Sequence, residues 1–196
     1  MQTALVSYLN RDFPMAESNL TQIRFHATDS SWVKSSYFLY TLVLNEMQRW
    51  DEAKVFLKQW INGFETSERT KDSINNEFEL IYLVKNQPRM KNLWTAKILS
   101  MLIPGAGQIY CRYIGDGITS FTIQAIALAA TGAAVYFGYY ITAFIVPFGI
   151  FQKFYYGSQL HLEYLVEKRN YERLRKYNDL LKESILAVNE SLKSQK

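Results

Sequence analysis

Few residues in this chain have the types and spacing that chemistry requires. The two histidines, His26 and His161, are far apart, and neither sits at a metal-ligand spacing. The single cysteine, Cys111, excludes an internal disulfide. Arg112 beside it is expected to lower the thiol pKa, but no histidine or acid lies close in sequence to complete a nucleophilic pair. The stretch Gly105–Gly107 is glycine-rich yet lacks the Gly-Lys-Ser/Thr ending of a phosphate-cradling loop. No serine sits in a nucleophile elbow. The acidic neighbours Asp51 and Glu52, and Glu77 and Glu79, read as solvated faces. These residues point to no enzyme, no cofactor and no metal.

One segment is chemically specific in another way. Pro104, Gly105, Gly107, Gln108 and Tyr110 are followed by Gly115, Asp116 and Gly117. Proline lacks an amide donor and ends a helix, so a short amphipathic helix from about Asn92 to Ile103 is expected before it. The two glycines permit left-handed or closely packed backbone. Backbone groups freed at such a bend need partners wherever water is scarce, and Gln108 and Tyr110 are expected to supply them. A sharper reading has Gly105 to Gln108 lining a substrate or ion site, as broken helices at membrane depth do.

The surroundings of this segment set its context. From Gly117 to Gln152 the chain has no Lys, Arg, Asp, Glu or His. About 20 apolar residues suffice to cross a bilayer as a helix. A first span from about Asp116 to Phe137, a turn at Gly138-Tyr139-Tyr140 and a second span from Ile141 to Phe154, kinked at Pro147, fit this run. Ala125, Ala129 and Ala133 recur every four residues, as do Ala130, Ala134 and Gly138, which suits close packing of membrane helices. Basic residues flank both sides: Lys85, Arg89, Lys91 and Lys97 before, Lys153, Lys168, Arg169, Arg173, Arg175 and Lys176 after. Two basic flanks on the cytoplasmic side require an even number of crossings, so a multi-pass hairpin fits better than one span. The alternative is a buried hairpin inside a soluble helical protein.

Upstream, two segments share a pattern at an offset of 37 residues. Leu5-Val6 precedes Phe13, Ala16, Leu20 and Ile23; Leu42-Val43 precedes Trp50, Ala53, Leu57 and Trp60. Within each copy the spacing follows one helix face. Asn62-Gly63 is expected to end the second copy, and a further helix from Glu68 to Val84 to cap the stack. Asn86-Gln87-Pro88 closes this region. The start of the chain has neither a basic leader region nor a continuous apolar core, so no signal peptide is expected unless a leader precedes it. From Gln159 to Leu192 there is no Pro or Gly, and Leu174, Tyr177, Leu181, Ile185, Val188 and Leu192 form an apolar stripe. This helix is expected to pack back on the N-terminal helices or to follow the second span.

The fold expected is therefore all-α: helical hairpins over 1–87, a two-helix transmembrane hairpin over 88–158 and a long amphipathic helix over 159–196. Net charge is +4, with 22 basic residues mixed among 18 acidic ones, so no dense nucleic-acid surface forms. The N-terminal pattern resembles the tetratricopeptide repeat, though it lacks the usual glycine at the inter-helix turn and its repeat is longer. That resemblance implies a groove for a protein partner, with Phe13, Ala16, Leu20, Trp50, Ala53, Leu57 and Trp60 in partner binding or repeat packing. The segment from Pro104 to Gly117 resembles a group of small bacterial membrane domains, the TM2-like families, with Arg112 where a glycine is common. That resemblance implies an inner-membrane location. Together they lead to a membrane-anchored scaffold or assembly factor with an unknown protein partner. The alternative is a small carrier or lipid-handling protein that works as a homo-oligomer.

Overall fold

The computed structural model describes residues 1–26 and 30–194. All its regular elements are helices. They are α1 (Gln2–Leu9), α2 (Phe13–His26), α3 (Ser30–Glu46), α4 (Trp50–Asn62), α5 (Glu68–Tyr82), α6 (Leu93–Leu102), α7 (Ala106–Tyr110), α8 (Ile114–Tyr136), α9 (Tyr140–Ala143), a π-helical turn (Phe144–Phe148) and α10 (Gly149–Ser194). The chain divides into two compact units, Met1–Pro88 with Arg175–Lys196, and Arg89–Leu174. The segment 159–196, expected as one separate element, is thus shared between them.

In the first unit, α1 to α4 form two helix pairs that repeat at the 37-residue offset. Arg11 and Gln48 both adopt left-handed backbone, with φ of 61° and 63°. Asp12 N–H donates to Ser7 O and Arg49 N–H to Leu44 O, each at 2.9 Å. These six-to-one bonds, with a left-handed residue just before the donor, close the helix ends as Schellman turns. α2 starts at Phe13 and α4 at Trp50. Buried positions pair at the same offset: Ala4 with Thr41, Tyr8 with Asn45, Ala16 with Ala53, Leu20 with Leu57. The small alanines let α2 and α4 approach their neighbours, as the pattern implies.

Two details, in α1 and α5, differ from expectation. Leu42 and Val43 are buried, but Leu5 and Val6 are exposed, at 46% and 55%. The inward face of α1 is carried by Ala4 and Tyr8 instead, so the apolar pair at its centre faces outward. The helix after Ser67 begins where expected, with Ser67 accepting from Thr70 N–H, and ends at Tyr82, two residues early. Gly63 caps α4 as expected, in right-handed conformation.

The core of this unit is closed by the end of α10. Tyr177, Leu181 and Ile185 are buried among Tyr8, Leu44, Trp60 and Tyr82. Trp50 meets Tyr177 edge-on at 5.4 Å between centroids and reaches Asn178 Oδ1 at 3.4 Å. Asn178 Nδ2 donates to Glu46 at 3.2 Å, and the Tyr177 hydroxyl donates to Ile81 O at 3.0 Å. From Tyr177 to Val188 the apolar stripe read from the sequence therefore packs back on the N-terminal helices, while Leu174 belongs to the other unit. Arg49 holds the outer rim, bonding Glu52 and Glu17 at 2.5 Å each. Those carboxylates hold its guanidinium pKa above the ordinary value, and Arg49 in turn holds Glu52 below the usual carboxylate range.

In the second unit, α6 and α7 pack together and α7 packs on α8. α8 is long and apolar enough to cross a membrane by length and composition, and only 11% of its most apolar window is buried. Its 23 residues span about 34 Å. Phe137 to Tyr139 repeat the Schellman pattern, with Gly138 at φ 82°. α9 and the π turn then fold back along α8. Pro147 sits inside the π turn, where its missing amide removes a helical bond. The expected second span is therefore broken by the π turn and runs on into the charged α10. Among the described residues one helix, not two, meets the length and hydropathy of a membrane span. The expected alanine stripe is not packed: Ala125, Ala129 and Ala133 are exposed.

Candidate functional site

The segment from Pro104 to Gly117 forms a tight crossing of α6, α7 and α8. Asn92 caps α6 by accepting from Thr95 N–H at 3.1 Å, and α6 stops at Leu102 ahead of Pro104. Gly105 turns the chain with φ 88°. A Cβ there would stand 2.1 Å from Gly117 O. A Cβ on Gly107 would meet Ala96 O at 2.3 Å and Ser100 Oγ at 2.4 Å, and one on Gly117 would meet Ile109 Cγ1 at 2.5 Å. Three glycines of the motif are thus fixed by contact. Gly115 is not, since nothing lies within 4 Å of its Cβ position.

The bend is satisfied by a residue the sequence reading did not single out. Gly107 N–H donates to Ser100 Oγ at 2.9 Å, while Ser100 donates on to Gln108 Oε1 at 3.1 Å. Gln108, expected to serve the backbone, is bonded chiefly to side chains. Its Nε2 donates to Ser158 Oγ at 2.7 Å. Tyr110 serves no backbone group of the bend either; its hydroxyl accepts from Asn92 N–H at 3.4 Å, ahead of α6, and its ring receives the Lys91 ammonium at 3.9 Å. Arg112 takes the left-handed conformation, φ 69°, in a fourth Schellman turn. Arg112 thus holds a backbone conformation that glycine adopts at no steric cost.

From Ser158 the polar chain continues along α8. The Ser120 and Ser158 hydroxyls are 2.9 Å apart, and Gln124 Nε2 donates to Ser120 Oγ at 2.9 Å. Gln108 and Gln124 are both 1% exposed. Gln124 Oε1 is buried without a hydrogen-bond partner among the described residues. Asp116 faces His161, Oδ2 to Nε2 3.8 Å. A cavity of about 460 Å³ opens beside this ladder, with Ile123, Phe154 and Lys153 also on its walls.

The sequence carried this ladder in plain view. Asp116, Ser120 and Gln124 step by four along α8, and Lys153, Gly157 and His161 step by four along α10. Steps of four lie on one helix face. Reading the run as merely uncharged hid its amide and hydroxyls. His161 therefore lines a cavity. No group of three or more metal-ligating side chains occurs among the described residues.

Cys111 is fully buried against Ala96, Leu162 and Val166. Burial pushes its thiol pKa up, outweighing Lys91, Arg169 and Arg173, which pull it down. The expected activation by Arg112 does not occur, because desolvation of the thiolate dominates. The residues expected for partner binding in the first unit are mostly interior. Ala16, Leu20, Ala53, Leu57 and Trp60 are buried, and Phe13 and Trp50 are half-buried. They pack helices together and leave little surface for a partner. Comparison with family models, with curated proteins and with solved structures gave no match.

Proposed function

We propose that this chain is a membrane-anchored helical protein whose N-terminal unit holds a protein partner at the bilayer, as a scaffold or assembly factor and not as an enzyme. The observation that carries the anchoring is the exposure of α8. An apolar helix of this length in a soluble protein would be mostly interior, yet its most apolar window is 11% buried. Ile118, Phe121, Ile126 and Leu128 all face outward. α6 supports the same reading. It turns Ala96 and Ser100 inward and leaves Trp94, Ile98, Met101 and Leu102 exposed, as a helix lying in the interface does. These faces weigh against a buried hairpin in a soluble protein. With α9 and the π turn folded back along α8, the proposed anchor is a hairpin in a bacterial inner membrane. Lys85, Arg89, Lys91 and Lys97 before the anchor, with Lys168, Arg169 and Arg173 after it, favour a cytoplasmic N-terminal unit.

The repeated Schellman turns and paired burial support the tetratricopeptide-like reading of α1 to α4. The partner surface is narrower than that family implies, because α10 packs into the core beside Trp50. The exposed Leu5, Val6 and Leu9 on α1 are the best remaining apolar contact for a partner helix. Cross-linking and mass spectrometry after co-purification in mild detergent test this. A stoichiometric partner linked to α1 is expected; a chain recovered alone, or from the soluble fraction, rejects the scaffold or the anchor respectively. The cavity beside Gln124 favours a second reading, a small lipid-handling protein or carrier, which predicts a homo-oligomer or a bound ligand in place of a protein partner.

A further inference from the structure

Two residue pairs fix how α10 runs beside α8. Asp116 faces His161 at 3.8 Å, and Ser120 faces Ser158 at 2.9 Å. Continuing this antiparallel register brings Lys153 level with Gln124 and Ala125. Eight residues of helix separate Asp116 from Gln124, about 12 Å along the axis. If Asp116 stands at the interface, Lys153 and Gln124 stand well inside the apolar layer. Ionisable side chains at such depth mark functional sites.

Both residues lack what they need. Lys153 makes no ion pair or hydrogen bond among the described residues. Gln124 Oε1 is buried and unpaired. Both line the same cavity of about 460 Å³, a volume that suits one small molecule or lipid head. The site therefore presents a cation and a hydrogen-bond acceptor between the apolar Ile123 and Phe154. Asp116, the carboxylate at the far end, already faces His161. A ligand fitting this set carries an anionic group for Lys153, a hydroxyl donor for Gln124 Oε1 and an apolar body.

We propose that this cavity binds the head of an anionic phospholipid bearing free hydroxyls, a polyol phosphate on a lipid, with its phosphate against Lys153 and a hydroxyl donating to Gln124. The proposal rests on the membrane reading of α8. A soluble polyol phosphate offers the same polar chemistry, but the apolar walls favour the lipid.

The test uses the full chain in mild non-ionic detergent, with lipid retention read by native mass spectrometry and thermal midpoint by circular dichroism. Phosphatidylglycerol should be retained at about tenfold lower concentration than phosphatidylcholine, whose head adds a choline cation that Lys153 repels and offers no hydroxyl to Gln124. Lys153→Met should remove that preference and Lys153→Arg keep it. Gln124→Leu should weaken retention with little change in the lipid-free midpoint, since losing the unpaired buried acceptor offsets losing the bond to Ser120, whose hydroxyl keeps Ser158. Equal retention of both lipids, or an unchanged preference in both Lys153→Met and Gln124→Leu, overturns the site. A stabilisation by free sn-glycerol 3-phosphate equal to that by phosphatidylglycerol overturns the lipid source. Failure of the membrane reading itself looks different: the chain is then recovered from cells without detergent.

Discussion

Arg11 and Gln48, 37 residues apart, occupy the same left-handed backbone position, at φ 61° and 63°. Each ends the first helix of a pair, and each is followed by an N–H that reaches back five residues. Left-handed backbone costs a side chain-bearing residue roughly 1–2 kcal/mol, a penalty glycine escapes. Arg11→Gly and Gln48→Gly should each raise stability by about 1 kcal/mol, whereas Gln48→Val should lower it. Thermal unfolding of the full chain in detergent checks this; a loss of stability on both glycine changes would mean the turns are not Schellman turns.

The motif glycines make a sharper contrast. Gly107 and Gly115 lie eight residues apart, yet only Gly107 is crowded, with Ala96 O at 2.3 Å from a Cβ. Backbone cannot yield as a flexible side chain does, so Gly107→Ala should cost about 3 kcal/mol and Gly107→Val more. Gly115→Ala should be nearly silent. Accumulation in membranes, measured for both alanine variants at equal expression, separates them; equal levels would reject the packing of α6 on α7.

Neighbours on α10 provide a test of core closure. Leu181 is fully buried and Leu180 is 47% exposed. Leu181→Ala should destabilise by about 2–5 kcal/mol, and Leu180→Ala by less than about 0.5 kcal/mol. Denaturant midpoints followed by Trp50 and Trp60 fluorescence would read it, since both rings lie in that core.

Three buried tyrosines give the first unit an alkaline limit. Burial raises Tyr8 to about 12 from its ordinary value of 10.0, with Glu46 and Asp179 adding to the shift, and burial alone raises Tyr177 to about 12. Tyr82 is raised too, by burial and against its bond to Asn45. Below pH 10 these groups are neutral in both folded and unfolded chains, so they take nothing from stability. As pH rises from 10 towards 12 the unfolded chain ionises first, and stability falls. The last part of the rise in tyrosinate absorbance, after the exposed tyrosines have ionised, should therefore coincide with loss of helical circular dichroism. Ionisation of all tyrosines at pH 10 with the fold intact would reject their burial.

Cys111 should resist alkylation by a small maleimide in the native protein and react once denaturant is added, because its buried thiol is held above its ordinary pKa. Rapid native labelling would show that α6 and α10 part readily around it.

The helical class, the break near Pro88 and the paired helices were legible because each rests on local signals: proline, helix periodicity and a repeated offset. The phase of α1 was not. Leu5 and Val6 look inward by hydrophobicity, but Ala4 and Tyr8 match the buried positions of α3, and only tertiary packing decides between adjacent residues on a helix. The bend at Gly105 was readable from residue type, whereas its partner Ser100 was not, since a hydroxyl gains meaning only when a free N–H lies beside it. The ladder from Gln108 to Gln124 escaped for a related reason. Uncharged polar residues barely interrupt an apolar run in sequence, yet they become conspicuous once two helices bring them to 2.9 Å.

The first unit closes only with a segment made after the second unit. Its core needs Tyr177, Leu181 and Ile185, which follow the whole of Arg89–Leu174 in the chain. At ribosomal speeds of about 5–20 residues per second, that interval lasts on the order of 10 s. During it α1 to α5 stand with an open apolar flank while the hydrophobic middle of the chain emerges. Nascent α1 to α5 are thus a natural client for a chaperone, and completion of their fold reports that the apolar segment has already left the ribosome.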